Sequence, residues 1–374
     1  MPLWAERERV LKYVDAYRDS KLAKRLLETL QKRPYGSRTL RLMEICGTHT
    51  VAMFRLGLRQ LLPSPLQLIS GPGCPVCVTA TEDVDRALWI ARQTGAIVAT
   101  FGDFMRVPGS RSSLLTERSR GGSVRMVYAS FDALQVARDN PHREVVFLGI
   151  GFETTAPTVA AAILQASREG IENFSVLSMH KLLPPAMKAL LDGEGTDLHG
   201  FICPGHVSTV IGAAAYEEIA ARYEIPCVVT GFEALDLLQG LHLLVDQVLA
   251  GEARVVNQYS RAVNWGGNPA AQRLLAQVFE PADAPWRGLG IIPRSGLKIR
   301  KEWQLLDAAE RFAIPPMDSR EPPGCRCSEV LRGTVTPPQC GLFGKACTPE
   351  TPVGPCMVSS EGTCGAYHQY HQED

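Results

Sequence analysis

Eleven cysteines carry most of the chemistry this 374-residue chain can offer, and six of them fall within its last fifty residues: Cys325, Cys327, Cys340, Cys347, Cys356 and Cys364. The intervals between them are 1, 12, 6, 8 and 7 residues, in a backbone broken by Gly and Pro (GCRC, TPPQCG, FGKACTPETPVGPCMVSSEGTC). Such a segment cannot bury its sulfurs along a long helix, so something other than apolar packing must hold it. A metal centre, disulfides or both would do so. Structural zinc sites bring their ligands as close C-x(2–4)-C pairs, which this segment lacks. Thiolates in irregular backbone therefore favour an iron–sulfur cluster over zinc, with a disulfide knot third.

A second group lies early in the chain. Cys74-Pro75-Val76-Cys77 follows strand-like LQLIS and precedes a helix with Glu82 and Asp83 in its first turn. Two sulfurs at this spacing reach one another, and a helix start lowers at least one thiol pKa, the arrangement of dithiol redox sites. Half of a zinc site and a purely structural pair are the alternatives, and no second C-x-x-C or His pair completes the zinc site. Cys46, in Cys46-Gly47-Thr48-His49-Thr50, stands between strand-like TLRLMEI and the apolar helix VAMFRLGLRQLL. Free amides and the helix dipole favour a thiolate there, with His49 as base or hydrogen-bond partner. A buried inert cysteine explains Cys46 equally well. Glu153 and Thr155 follow the strand EVVFLGIG, at the carboxyl end where open α/β sheets bind ligands. Gly149 and Gly151 alone do not make G-x-G-x-x-G, so no dinucleotide site is expected. His206 follows a strand and the turn Pro204-Gly205, its helix capped by Ser208. Cys203 and Cys227 read as small buried residues.

The 39 basic residues balance 39 acidic ones, so neither a nucleic-acid footprint nor an anionic-membrane patch is implied. MPLWAERERV places charges where a signal peptide needs apolar residues, and no run of about 18 apolar residues follows. A cytoplasmic protein is expected. An odd cysteine count in that reducing compartment suits metal ligands or redox thiols better than a static disulfide framework.

The elements that must position these groups read as α/β: two similar parallel-sheet domains facing a cleft, plus a mainly helical third domain carrying the cysteine segment. The expected boundaries are 38–140, 141–240, and 1–37 with 241–374. Residues 4–31 read as a helix with Val10, Leu11, Val14 and Tyr17 on one face, 110–126 as an exposed loop, and 236–320 as mostly helical. An internal echo supports the two similar domains. Pro72-Gly73-Cys74 matches Pro204-Gly205-His206, and Gly102-Asp103 matches Gly231-Phe232-Glu233. Such a duplication would gather Cys46, Cys74, Cys77, Glu153 and His206 around one cleft.

Taken together, CGTHT (46–50), GPGCPVC (71–77), FGDFMRVPG (101–109), GFETTAPT (151–158), CPGHVS (203–208) and the cysteine-rich tail resemble the signature blocks of the HypD family of hydrogenase maturation proteins. The resemblance runs, in order, from about residue 40 to about 370. It implies two related α/β domains and a third domain with a [4Fe-4S] cluster. It also implies a scaffold role: with a HypC-type small partner, the Fe(CN)2(CO) unit of [NiFe]-hydrogenase is assembled, cyanide arriving through a HypE-type donor with HypF upstream. On this resemblance the cluster ligands are Cys325, Cys340, Cys347 and Cys364, and Cys327 with Cys356 is the redox pair beside the cluster. Cys74 with Cys77 is the second thiol pair, and Cys46 holds the iron together with the partner's N-terminal cysteine.

The residue types suit those roles. A low-spin iron bearing cyanide and carbon monoxide is soft, so thiolates suit it. His49, Thr48, His206 and free amides could hold the anionic cyanides, and Glu153 could orient a donor or shuttle a proton. Two other classes use the same residues. A stand-alone iron–sulfur thiol/disulfide oxidoreductase would leave Cys46 and His206 without a task, and a zinc-stabilised interaction scaffold would account for the tail alone.

Overall fold

The computed structural model describes residues 15–193 and 197–370. Val10, Leu11 and Val14 of the expected first helix lie outside these described residues; within them the helix is Ser20–Gln31, capped by the Asp19 carboxylate.

From the N-terminus the strands are β1 (Leu40–Glu44), β2 (Leu66–Ser70), β3 (Ile97–Thr100), β4 (Val124–Met126), β5 (Val145–Gly149) and β6 (Phe174–Ser178). They continue with β7 (Gly200–Pro204), β8 (Cys227–Thr230), β9 (Val255–Asn257), β10 (Phe279–Trp286) and β11 (Gly290–Ile299). Two parallel sheets result, one in the order β2-β1-β7-β8-β9 and the other β4-β3-β5-β6. The α/β class with two similar parallel sheets is therefore as expected. The echo extends to topology: each sheet starts at an inner strand, steps outward once, then returns to the other side of the first strand.

The domain boundaries are not as expected. β1 pairs with both β2 and β7, so residues from the expected first and second domains share one sheet, and the second sheet is an insertion between β2 and β7. Local patterning marks strands but carries no information on which strand pairs with which, so an insertion and two tandem halves look alike in sequence. Both sheets are covered on both faces, which is why strands such as Val145–Gly149 are buried at every position. One face of the first sheet packs Leu40, Leu42 and Val228 against Leu30 and the helix Ala234–Ala250. The N-terminal helix thus belongs to this sheet rather than to a third module. The opposite face builds the central core, which contains Cys74, Cys77, Cys327 and Cys356 beside Phe152 and Trp286.

Two further expectations fail. Residues 110–126 are not an open loop: Ser113 caps a helix, Leu114–Ser119, that buries Leu114 and Glu117, and β4 follows. The expected helical stretch 236–320 contains β9 and the antiparallel hairpin β10–β11. Pro281, Pro285 and Pro293 disguise that hairpin, because proline is tolerated in a two-stranded ribbon that leaves one edge of each strand unpaired. The segment after Lys301 does consist of short helical turns and irregular chain. Among the described residues no helix is long and apolar enough to cross a membrane.

Candidate functional site

In the first sheet the chain leaves β1 for β2 on one side and returns to β7 on the other. The crevice beyond the carboxyl ends of β1 and β7 is therefore a topological switch point, where ligands of such sheets bind. Cys46 follows β1 and is the N-cap of the helix Gly47–Arg55. The helix expected through VAMFRLGLRQLL breaks at Gly57, and Leu58–Leu61 forms a separate turn.

β2 lies beside β1 in register, Leu40 opposite Leu66 and Glu44 opposite Ser70, so the loops that follow them stack. Gly73 O accepts from Gly47 N at 3.1 Å. A Cβ on Gly73 would stand 2.1 Å from Cys46 N, so only glycine allows the two loops to meet. Glu44, fully buried at the end of β1, accepts from Ser70 Oγ at 2.7 Å and from Arg59, which ties the two strand ends together.

The helix start does not make Cys46 anionic. Burial pushes its thiol up to about 11, against the hydrogen bonds that the His49 and Thr48 amides and the Thr48 hydroxyl offer. Desolvation outweighs these donors because the side chain is only 7% exposed. In the free chain Cys46 is a thiol, and a soft cation would have to displace its proton to bind there.

The second pair behaves unequally. Cys74 caps the turn Pro75–Val78 and accepts from Cys77 N at 3.3 Å; burial and its neighbour Cys77 raise its pKa well above the usual range. Burial also raises Cys77. Hydrogen bonds from the Cys356 and Cys74 thiols and the charge of Arg287 nevertheless bring it down to about 6.

The cysteine segment reaches this pair directly. Cys356 Sγ stands 2.7 Å from Cys327 Sγ, and Cys356 also bonds Cys77 and Cys364. Four sulfurs thus run in series, Cys74, Cys77, Cys356 and Cys327, through the central core. Behind them Cys325, Cys340, Cys347 and Cys364 line one small pocket with Cys327, Cys356, Leu342 and Phe343. Burial and the neighbouring thiols push Cys325 to about 12. Among the described residues no three His, Cys, Asp or Glu side chains converge as ligands of one ion do. A ring of soft thiols around a void suits a polynuclear group bonded at its corners, so these residues fit an iron–sulfur cluster.

Two histidines flank Phe232, on the loop after β8, with ring centroids 4.1 Å away for His206 and 4.7 Å for His49. His49 Nε2 lies 3.0 Å from Gly231 O and 3.1 Å from Thr230 Oγ1. A carbonyl only accepts, so Nε2 carries the hydrogen and Nδ1, buried and without a partner, keeps its lone pair. Burial lowers the His49 pKa to about 4, so the ring stays neutral. The ring therefore offers an acceptor rather than a donor on that side, whereas His206 is exposed. Ser208 does not cap the helix Gly205–Ile211; it is inside it, 3.0 Å from the Tyr216 hydroxyl.

Glu153 comes from the loop after β5 in the second sheet and is buried beside Leu183, its charge acting on Tyr216. Its Oε1 accepts from Leu183 N at 3.0 Å, its Oε2 has no partner, and burial raises its pKa to about 7. Cys203 and Cys227 are buried neighbours on β7 and β8, as expected.

Two functional candidates escape the sequence reading. Glu361, between Cys356 and Cys364, accepts from Thr48 Oγ1 at 2.7 Å, and its charge acts on Cys46, Cys74, Cys77 and His206. Its carbonyl would stand 2.5 Å from a Cβ on Gly47, so the segment lies directly over the Cys46 loop. The sequence signal was a carboxylate inside the cysteine run, SSEGTC. Arg287, the other candidate, lies far from any motif.

A family model described as HypD, hydrogenase formation hypA family, matches residues 21–371. The chain is similar to a hydrogenase maturation factor HypD of Azotobacter vinelandii, 48% identical over 370 residues that cover 97% of this chain and 98% of the relative. The HypD of Escherichia coli K12 is 45% identical over 370 residues, covering 97% of this chain and 99% of the relative. A putative hydrogenase expression/formation protein of Methanocaldococcus jannaschii is 41% identical over 354 residues, 95% and 98% of the two chains. The match spans both the stacked Cys46 and Cys74 loops and the cysteine segment that closes over them, and the chain belongs to the HypD family of hydrogenase maturation factors.

Proposed function

We propose that this chain is the scaffold on which the Fe(CN)2(CO) unit of a [NiFe]-hydrogenase is assembled. A HypC-type partner shares the iron, and a HypE-type donor, with HypF upstream, brings the cyanide. The carrying observation is the convergence of Cys46, the Cys74–Cys77 pair and the cysteine segment at the switch-point end of one sheet. Cys46 holds the iron as cargo after giving up its proton, while His206 and the amides of the Cys46 and Cys74 loops donate to the cyanides. The near neutrality of the chain and the abundance of thiols suit a reducing cytoplasm.

The sulfur series supplies a reductive route. Cys356 attacks the Cys77 sulfur of an oxidised Cys74–Cys77 pair; Cys74 leaves with the bonding pair and takes the proton Cys356 gave up. Cys327 then gives up its proton to solvent and attacks Cys356, forming the Cys327–Cys356 disulfide as the Cys77–Cys356 bond breaks and releasing Cys77 as the thiolate its surroundings favour. Two electrons and two protons restore the Cys327 and Cys356 thiols. A [4Fe-4S] cluster held by Cys325, Cys340, Cys347 and Cys364 would supply those electrons one at a time from an external low-potential donor. On this reading Glu153, its carboxyl raised to about 7, is available to exchange a proton near neutral pH.

The contact of Cys77 with Cys356 also favours a second reading, a stand-alone iron–sulfur thiol/disulfide oxidoreductase. Infrared spectroscopy of the anaerobically purified chain, co-expressed with a small partner bearing an N-terminal Met-Cys, separates the two. Bands of metal-bound cyanide and carbon monoxide that vanish in Cys46→Ala support the scaffold. Their absence from an iron-loaded, partner-bound sample overturns it in favour of the oxidoreductase. Loss of brown colour in Cys340→Ser with retained folding would locate the cluster independently.

A further inference from the structure

Arg287 is a buried cation that the reading above leaves without a task. It follows Trp286 in the loop between β10 and β11 and is 2% exposed. Its amide donates to Val78 O at 2.9 Å and its Nε to Thr79 O at 2.9 Å. These two carbonyls end the Cys77-bearing turn Pro75–Val78, so the guanidinium grips that turn at its carbonyl end. Nη1 pairs with Glu321 Oε2 at 2.6 Å, and Glu321 Oε1 in turn accepts from Thr81 Oγ1 at 2.8 Å. Nη2 is buried with no acceptor.

A desolvated guanidinium nitrogen without an acceptor is costly, and an anion beside it relieves that cost. The nearby group able to become that anion is Cys77, on which the Arg287 charge acts; the main influences on Cys74 are burial, Cys77 and Glu361. We propose that Arg287 is the positioning residue that singles out Cys77, rather than Cys74, as the reactive sulfur of the pair, by fixing a positive charge against the turn that carries it. This rests on the reading of Cys74 and Cys77 as a redox couple. The other groups facing Cys77 include the Cys74 and Cys356 thiols, which donate to it, Glu361, whose charge opposes Arg287, and Cys364, which feels the Cys77 charge. Glu321 tempers the effect by partly neutralising the guanidinium. Arginine is needed for the grip, since a lysine keeps the charge but not the planar fork that meets Thr79 O and Glu321 together.

The test uses the full-length, fully reduced chain under anaerobic conditions. Ultraviolet thiolate absorbance is followed against pH, and the Cys77 component is taken as the difference from Cys77→Ser. Equilibration with glutathione reads the Cys74–Cys77 couple. Arg287→Gln is expected to raise the Cys77 midpoint by about one pH unit, which is tenfold in ionisation. It should also shift the couple toward its disulfide by about tenfold, or about 30 mV. Arg287→Lys, which keeps the charge but not the fork, should restore only part of both shifts. Glu321→Gln, at a side chain 57% exposed, should move both quantities the opposite way, because it frees the guanidinium charge. A packing role would not reverse sign between the two variants. The proposal is overturned if the Arg287→Gln midpoint stays put, or if Glu321→Gln moves it upward or not at all; the latter result decides the matter even where Arg287→Gln fails to fold. None of these readouts involves an iron–cyanide product, so a failed scaffold assignment would leave them intact.

Discussion

The two parallel sheets share one strand order, yet they treat the carboxyl ends of their strands differently. The first sheet ends β1, β2 and β7 in reactive groups: Cys46, Cys74 and His206. The second ends its strands in anchors. After β3, Arg106 donates to Val358 O at 2.9 Å and Pro349 O at 3.1 Å, which fastens the cysteine segment. After β5, Glu153 accepts the amide of Leu183, and after β6 the buried Lys181 Nζ pairs with Asp83 at 2.9 Å. Asp83 lies in the first turn of the helix Thr81–Gln93, just beyond the Cys74–Cys77 turn. On the proposed function the same topology serves two purposes: one sheet presents the thiols that hold the cargo, and the other mainly holds the parts that close over them. The inserted sheet can hold them because it lies between β2 and β7 in the chain and is tied to the segment by side chains rather than by strand pairing.

This division of labour can be broken by experiment, and the largest effect is expected in the first sheet. Cys46→Ala should abolish the cyanide and carbon monoxide bands while leaving the melting temperature within a few degrees of the parent. Retained bands would remove the first sheet from the chemistry. Next in size is Lys181→Met in the second sheet. Breaking the buried pair leaves Asp83 with only the longer Arg86 contact at 3.7 Å and should cost up to about 3–5 kcal/mol in denaturant unfolding, while the folded fraction keeps its bands. Lost bands in fully folded Lys181→Met protein would show that the second sheet takes part directly.

A smaller, pH-dependent effect sharpens the contrast. The folded Glu153 carboxyl, raised to about 7 from 4.5, binds its proton more tightly than in the unfolded chain. Its contribution is therefore present at low pH and falls as pH rises from about 4.5 through about 7. Glu153→Gln should match the parent near pH 4 and exceed it above pH 7, by roughly 1–3 kcal/mol. Equal stability differences at both pH values would contradict the buried, protonated carboxyl. The smallest effect belongs to the loop after β8. Phe232→Ala removes the ring between His49 and His206, and its effect is read on the His206 imidazole rather than on stability. With the ring gone, His206 is less buried, so its depressed pKa should rise toward the ordinary value in an NMR titration. An unmoved His206 would deny Phe232 that role.

The loop at Cys46, the Cys74–Cys77 turn and the placement of His206 after a strand were legible because each is a local event. An apolar run, a Gly or Pro stop and a polar helix start suffice to place a residue at a strand's carboxyl end. The hairpin β10–β11 was not legible, since its prolines contradict strand propensity and only pairing between distant residues makes them acceptable. Glu361 lay in plain view beside Cys364, but nothing in SSEGTC says that it reaches Thr48, more than three hundred residues earlier. Arg287 is a stronger case, an arginine in an ordinary turn that becomes important only when Val78 and Thr79 are placed against it.

By itself, then, the sequence determined the α/β class, the duplicated pattern and the positions of the reactive side chains, because these follow from side-chain periodicity and backbone preference over a few residues. Tertiary structure alone decided that the second sheet is inserted into the first. It alone ran Cys77 into Cys356, left Cys46 protonated at a helix start, and turned the His49 lone pair inward. Each of these depends on desolvation and on charges brought together from distant parts of the chain, and burial and distance exist only once the chain has folded.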